Sequence, residues 1–126
     1  MRAVDTNVLV RLIVRDDRKQ VEAAEAFIAK GAWVSHLVLA ETCGVLESVY
    51  DLHPQLVAVA VEMLLNHEHL TVQEAGVVEN ALAGFRQRSG VSFSDHLILE
   101  IARKSGHLPL GTFDRDLGKL AGAQRV

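Results

Sequence analysis

Apolar residues recur along the chain in two patterns. Short apolar runs, bounded by polar or turn-forming residues, predict strands at 3–5, 32–35, 70–72 and 108–112. Longer stretches, in which apolar residues are three or four positions apart, predict six helices that end near 14, 30, 50, 66, 87 and 104. A last short helix is predicted from Asp114, followed by an edge strand. Strands that alternate with helices are typical of an α/β protein with a mostly parallel sheet.

Length and composition fit one globular domain. The chain has 126 residues, of which 49% are hydrophobic and 23% charged, so we expect a single domain over 1–126. No apolar run is long enough to span a membrane, and Asp5 interrupts the N-terminal segment where a signal peptide needs apolar residues. A cytoplasmic location is therefore expected. Cys43, the single cysteine, lies in an apolar helical stretch, which predicts a buried and unreactive thiol.

Two acidic residues directly follow predicted strands. Asp5 stands where the first strand stops, and Asp114 follows the strand that ends at Thr112. Thr6 and Asn7 are good helix N-cap residues, so the first helix is predicted to begin there. Because open α/β sheets bind their ligands at the carboxyl ends of the strands, we expect both acids at that edge of one sheet.

Two further acidic residues lie in the early part of predicted helices. Glu41 has apolar residues three and four positions away, and a carboxylate in such a stripe is costly unless it is paired, protonated or bound to a metal. Glu47, by contrast, is expected at the surface. Asp95 follows Ser94, the predicted N-cap of the sixth helix. Each also has a structural explanation: Glu41 could reach water from the margin of the stripe, and the helix dipole favours an acid at Asp95.

The combination of acids predicts a metal site. Four carboxylates are expected to converge at the carboxyl edge of the sheet: Asp5, Glu41, Asp95 and Asp114. They would repel one another unless a cation neutralised them. Oxygen ligands favour Mg²⁺ or Mn²⁺, whereas the six histidines are not at ligand spacing with each other and the single cysteine argues against zinc. Such a site supports hydrolysis of a phosphodiester by a metal-activated water.

Polar neighbours of these acids are candidates for substrate binding. Thr6, Asn7 and Thr112 could hold water or a substrate phosphate, and Asp116 could join the acids or face solvent. No glycine-rich phosphate loop, nucleophile elbow or Cys/His nucleophile pair is found. The net charge of −3 argues against a protein that grips nucleic acid by charge alone.

Four segments together resemble the motifs of a known family, in order and at the usual spacing. They are Asp5-Thr-Asn-Val-Leu-Val-Arg-Leu, Val38-Leu-Ala-Glu41, Ser92-Phe-Ser-Asp95-His-Leu-Ile and Thr112-Phe-Asp-Arg-Asp-Leu117. The family is that of the PIN-domain ribonucleases, and in particular the VapC toxins of bacterial and archaeal toxin–antitoxin pairs. The resemblance covers essentially the whole chain.

The resemblance implies a three-layer α/β/α fold with a short, mostly parallel central sheet, and a Mg²⁺- or Mn²⁺-dependent endoribonuclease. Thr112 matches the family's polar active-site residue, and Asp116 is a supporting candidate. The acidic metal-binding and catalytic positions of the family match Asp5, Glu41, Asp95 and Asp114.

The resemblance also implies partners. Relatives commonly form homodimers and are silenced by a cognate antitoxin, whose tail covers the active-site groove. A homodimer would suit the fourth predicted helix, which is apolar over much of its circumference. Ser92 stands where members often carry an Asp, and we do not count it as catalytic.

Three rival classes remain open at this stage. A phosphoacceptor receiver domain would need an acidic pair at the first strand, but Asp5 is followed by Thr6 and Asn7. A phosphatase with an Asp nucleophile would need a second Asp at position 7. A catalytically silent PIN module that only binds a partner would not need the four acids to be intact.

Overall fold

The computed structural model describes residues 1–126, which form six α-helices and five short strands. In chain order these are β1 (Arg2–Ala3), α1 (Thr6–Val14), α2 (Arg18–Ile28), β2 (Ala32–Val34), α3 (His36–Ser48), α4 (Pro54–Asn66), β3 (Leu70–Val72), α5 (Ala75–Gln87), α6 (Phe93–Lys104), β4 (Leu110–Thr112) and β5 (Ala123–Arg125), with a 3-10 turn at Leu117–Lys119. The chain forms two compact units, Met1–Ala75 and Gly76–Val126. No helix is both long enough and apolar enough to cross a membrane.

The first unit is a three-stranded parallel sheet with its helices on one face. The strand order is β1-β2-β3, so both connections step across the sheet in the same direction. Right-handed crossovers therefore place α1 to α4 on the same face. Arg2 points to this face, where its guanidinium lies 3.8 Å above the ring of Phe27 in α2. The strand residues buried on this face are Val4, Ala32, Val34, Leu70 and Val72.

The first three helices start from side-chain caps. Asp5, Asp17 and Ser35 each accept a hydrogen bond from the backbone N–H three residues further on, at 3.1–3.3 Å. These bonds satisfy donors that the first turn of a helix leaves without partners. Asp5 and Ser35 follow β1 and β2, so α1 and α3 both begin at the carboxyl edge of the sheet.

A polar cluster joins the far end of α1 to α3. Arg11 forms an ion pair with Asp16 and donates a hydrogen bond to the Tyr50 hydroxyl at 2.7 Å. The Tyr50 hydroxyl in turn donates to Asp16 at 3.3 Å. The hydrogen bond to Tyr50 and the charge of Asp16 raise the pKa of the Arg11 guanidinium. The cluster therefore links the α1–α2 connection to Tyr50, which lies two positions after the end of α3.

The second unit has an aromatic core beside a two-stranded parallel sheet of β4 and β5. Phe85 of α5 meets Phe93 of α6 edge to face at 6.0 Å, and it meets the His96 ring at 6.1 Å. His96 is buried, and its Nε2 donates to the Arg88 carbonyl at 2.9 Å. A Cβ at Gly84 would lie 2.8 Å from Nδ1 of His96, so this close approach of α5 to the imidazole requires glycine.

The predicted α/β class with parallel strand pairing is confirmed, and the bounds of α4 and β3 are as predicted. The strand pairing differs from the prediction of one sheet, because β4 pairs only with β5 and forms a second sheet. Asp5 and Asp114 thus follow strands of different sheets. Both residues of β1 are exposed.

Two predicted caps were wrong by a few residues. Asp5, and not Thr6 or Asn7, is the N-cap of α1, since its backbone is extended while Thr6 is already helical. Ser92, and not Ser94, is the N-cap of α6, because the Ser92 hydroxyl accepts from the N–H of Asp95 at 3.2 Å. In both cases neighbouring residues have similar capping propensity, and the backbone conformation decides between them.

We expect the Cys43 thiol to be unreactive in the folded protein. Cys43 is buried, and burial together with the nearby Glu47 raises its pKa to about 12. At pH 8 only about one thiol in ten thousand would then be ionised, and the thiolate is the reactive form. Labelling with Ellman's reagent at pH 8 should follow global unfolding in urea. Rapid stoichiometric labelling in native buffer would contradict this assignment.

Candidate active site

Asp5 lies between β1 and α1, and one oxygen of its carboxylate caps the helix. Oδ1 accepts the hydrogen bond from the N–H of Val8 at 3.3 Å, and the side chain is exposed. The capping bond leaves Oδ2 available to a ligand. The local structure therefore fixes the carboxylate at the carboxyl edge of the sheet without help from a metal.

Helix α3 places Glu41 close to the start of α1, beside Asp5. Its Oε2 accepts a hydrogen bond from the Thr6 hydroxyl at 2.9 Å, although the two residues are 35 positions apart. Thr6 directly follows Asp5, so this bond joins the start of α1 to the second turn of α3. Asp5 and Glu41, two of the acids predicted to share a site, are thus connected through Thr6.

The first turn of α3 is held against the end of β3. The backbone N–H of His36 donates to the side-chain oxygen of Gln73 at 2.8 Å, and the ring Nε2 donates to the Gln73 carbonyl at 2.7 Å. His36 is buried. These two bonds position the helix that carries Glu41 relative to the sheet.

The expected contrast between Glu41 and Glu47 is reversed. Glu41 is exposed, because its neighbour Leu37 is itself exposed and the apolar stripe does not face the core there. Glu47, which was expected at the surface, is half-buried, and this burial raises the pKa of its carboxyl. The carboxylate available to a cation is therefore the one that also matches the family motif.

Asn7 lies beside a cleft between α1 and α2. The cleft has a volume of about 330 Å³, and Asn7, Val8, Arg11, Gln20 and Phe27 are among its lining residues. Asn7 is exposed and one position beyond Thr6. It can therefore present its amide to a molecule that approaches Asp5 along α1.

In the second unit, Thr112 and Asp114 form a tight turn at the end of β4. The Thr112 hydroxyl accepts from the N–H of Asp114 at 3.0 Å. Asp114 Oδ1 accepts from the N–H of Leu117 at 2.8 Å, which caps the following 3-10 turn. Asp114 is exposed, and as at Asp5 the capping bond engages only one carboxylate oxygen. The helix predicted to start at Asp114 is this short turn.

Asp95 and Asp116 also belong to the second unit. Asp95 lies in the first turn of α6 and is half-buried, with its N–H bonded to Ser92. Asp116 is exposed and pairs with its neighbour Arg115 at 3.6 Å.

The donor set fits a hard divalent cation. The candidate ligands are all carboxylates, and carboxylate oxygens suit Mg²⁺ and Mn²⁺. The structure contains no group of three or more His, Cys, Asp or Glu side chains that could hold a metal ion.

Two features of the site region were not anticipated from the sequence. The bond between Thr6 and Glu41 joins residues that are distant in the chain, and no local pattern predicts it. Arg11 was not singled out either, although it lies four positions after Asn7 and so on the same face of α1. That helical spacing was the available signal for a cation beside the cleft.

Comparison with known proteins identifies the class to which this fold and these acids belong. Residues 2–123 match the PIN domain family, and the chain therefore belongs to it. The match spans both units and includes all four predicted acids, and it confirms the PIN-like α/β fold. PIN domains are typically metal-dependent nucleases, so the nuclease class is supported. No curated protein matches the chain.

The capping bonds predict which substitutions preserve the fold. Asn can still accept a hydrogen bond at the cap, so Asp5→Asn and Asp114→Asn should leave stability unchanged or slightly higher in metal-free protein. Asp5→Ala and Asp114→Ala should each cost about 0.5–2 kcal/mol, because the first-turn N–H loses its acceptor. Urea unfolding in the presence of chelator measures the difference. Equal losses in the Asn and Ala variants would show that capping is not the structural role of these residues.

Proposed function

We propose that the protein is a metal-dependent endoribonuclease that hydrolyses RNA phosphodiester bonds, with residues 1–126 acting as one PIN-like domain. The observation that carries the proposal is the family match over residues 2–123, a range that includes Asp5, Glu41, Asp95 and Asp114. The exposure of Asp5, Glu41 and Asp114 supports it further, because carboxylates that bind a cation and a polymer must be accessible.

Each residue has a role in this proposal. Mg²⁺ or Mn²⁺ held by the four acids would activate a water and neutralise phosphate charge. Thr6 holds Glu41 through its hydroxyl, and Thr112 holds the turn that presents Asp114. Asn7 contacts RNA from the cleft, and Asp116 supports the acids of the second unit. The capped acids keep their places before substrate arrives, which is the preorganisation that charge stabilisation requires.

The sequence motifs support a more specific biological role. They resemble those of VapC toxins, so we propose that the chain is the toxin of a toxin–antitoxin pair that acts on cytoplasmic RNA. A cognate antitoxin would then silence it by covering the active-site groove. A silent binding module is the alternative, and nuclease activity distinguishes the two.

Purified protein should cut a mixed structured RNA with Mg²⁺ or Mn²⁺ and should not cut it in chelator. Asp5→Asn should lower the cleavage rate at least about a hundredfold, because even changes outside the ligand shell of metal sites cost roughly ten- to a hundredfold. Gel electrophoresis of end-labelled RNA measures the rate.

Asp17→Asn is the matched control for this experiment. Asp17 is also an Asp that caps a helix, so the variant loses the same charge at the same kind of position. It should cut at the wild-type rate. Cleavage that persists in chelator, or that Asp5→Asn leaves unchanged, would refute the metal-dependent mechanism at these acids, and absence of cleavage by wild type would favour the silent module.

We also propose that α4 forms the contact between two copies of the chain. One face of α4 is buried, whereas Leu56, Val59 and Met63 on another are 43–56% exposed. Their spacing of three and four positions forms a continuous apolar stripe. A stripe of this kind is complementary to itself, and two copies related by twofold symmetry would cover it.

The wild-type protein should therefore be a dimer at micromolar concentration, as measured by light scattering after size exclusion. Val59→Lys should give a monomer, because it places a charge in the centre of the apolar contact. Ile101→Lys, which changes an exposed apolar residue of α6, should remain a dimer. A monomeric wild-type protein, or a dimeric Val59→Lys, would exclude α4 as the interface.

A further inference from the structure

Phe113 is the aromatic residue that the fold leaves without a partner. The chain has four phenylalanines, one tryptophan and one tyrosine. Phe85 and Phe93 pack on each other, Phe27 lies under Arg2, and Tyr50 bonds to Arg11. Trp33 is 37% exposed, whereas Phe113 is 80% exposed, more than any other aromatic side chain. This position therefore forgoes the stabilisation that burial of a Phe ring provides.

The backbone that presents Phe113 is fixed on both sides. Before it, the carbonyl of Thr112 accepts from the N–H of Val126 at 2.7 Å. After it, Asp114 is bonded through its N–H to Thr112, through Oδ1 to Leu117, and through its carbonyl to Gly118 at 3.0 Å. The exposed ring is therefore held out by an ordered turn and does not belong to a frayed end.

The neighbours of Phe113 are charged. Asp114, Arg115 and Asp116 follow it directly, and all three are exposed. The cores of protein–protein interfaces are depleted in charged residues, so this segment is a poor match to an apolar protein contact. The segment instead has an aromatic ring, Phe113, two positions from a guanidinium, Arg115. Proteins that bind single-stranded nucleic acid combine these groups, because bases stack on aromatic rings and cations contact phosphates.

We propose that Phe113 is a substrate-positioning residue that stacks against one unpaired base of single-stranded RNA next to Asp114. This inference rests on the proposed nuclease function and names the substrate feature that the site selects. The net charge of −3 provides little general attraction for RNA, so a contact that does not depend on charge has more to contribute to binding. An unpaired base offers its face to the ring, whereas a base inside a duplex does not.

The test is RNA binding in chelator, measured by fluorescence anisotropy with a labelled single strand and with the same strand in a duplex. Phe113→Ala and Phe113→Leu should weaken binding of the single strand at least about fivefold, because stacking is worth roughly 1–3 kcal/mol per base. Phe113→Trp should bind within about twofold of wild type. The weak binding to duplex should not change in any variant.

Ile101→Ala is the control for loss of an exposed apolar side chain in the same unit, and it should bind like wild type. Phe113→Leu separates stacking from general hydrophobic contact, since leucine is apolar but has no aromatic face. Wild-type affinity in Phe113→Leu, or an equal loss for single strand and duplex, would overturn the assignment.

Metal-dependent cleavage by wild type, assayed on the same RNA, separates failure of this inference from failure of the proposed function. If wild type cuts RNA and the Phe113 variants bind and cut normally, the stacking role is refuted and the nuclease stands. Phe113 would then be free to meet a protein partner. If wild type neither binds nor cuts, both proposals are overturned.

Discussion

The unmet hydrogen bonds at the start of a helix are the constraint on which this structure depends. Each helix begins with N–H groups that have no partner inside the helix, and a side-chain oxygen accepts from one of them at the start of α1, α2, α3 and α6. At Asp5 and Asp114 that oxygen comes from a carboxylate two positions after the last residue of a strand. The requirement for a cap therefore fixes an acidic group at the carboxyl end of a strand. A carboxylate has two oxygens, so the second can serve a ligand while the first serves the fold.

Residues of the first helical turns also form contacts to other elements around these acids. Thr6 is the first residue of α1, and its hydroxyl holds Glu41 of α3. His36 opens α3, and its ring and N–H hold the end of β3 through Gln73. Elements that meet at one edge of the first sheet are thus joined by residues of the first helical turns. In the second unit, side-chain oxygens of Thr112 and Asp114 likewise accept from backbone N–H groups in the turn from Thr112 to Leu117.

Much of this arrangement could be predicted from the sequence, because local patterns determine it. Pro54 at the start of α4 and the apolar spacing that follows defined that helix correctly. The four acids were singled out because strand ends and helix starts have recognisable signals, and because the four motifs together resemble PIN domains. Membership of that family is now established over residues 2–123. The grouping of the acids around one cation remains a proposal.

What could not be predicted depended on competition between similar neighbours or on distant contacts. Asp5, Thr6 and Asn7 are all good caps, and only the backbone conformation selects Asp5. Periodicity placed Glu41 in an apolar stripe, but Leu37 in that stripe proved to be exposed. The sheet was expected to be continuous, yet β4 finds its partner in β5. No local signal contains this information, because each outcome depends on which segments meet in three dimensions.

The cluster of Arg11, Asp16 and Tyr50 has a consequence for how such sequences diverge. Each member bonds to the other two, and the three lie in different parts of the chain. Loss of any one would leave the other two with fewer stabilising bonds, so selection on those two would weaken. Selection therefore acts on the three positions as a set. Positions 11, 16 and 50 should accordingly covary in descendants of this chain, and lineages that lose one should lose the others soon afterwards.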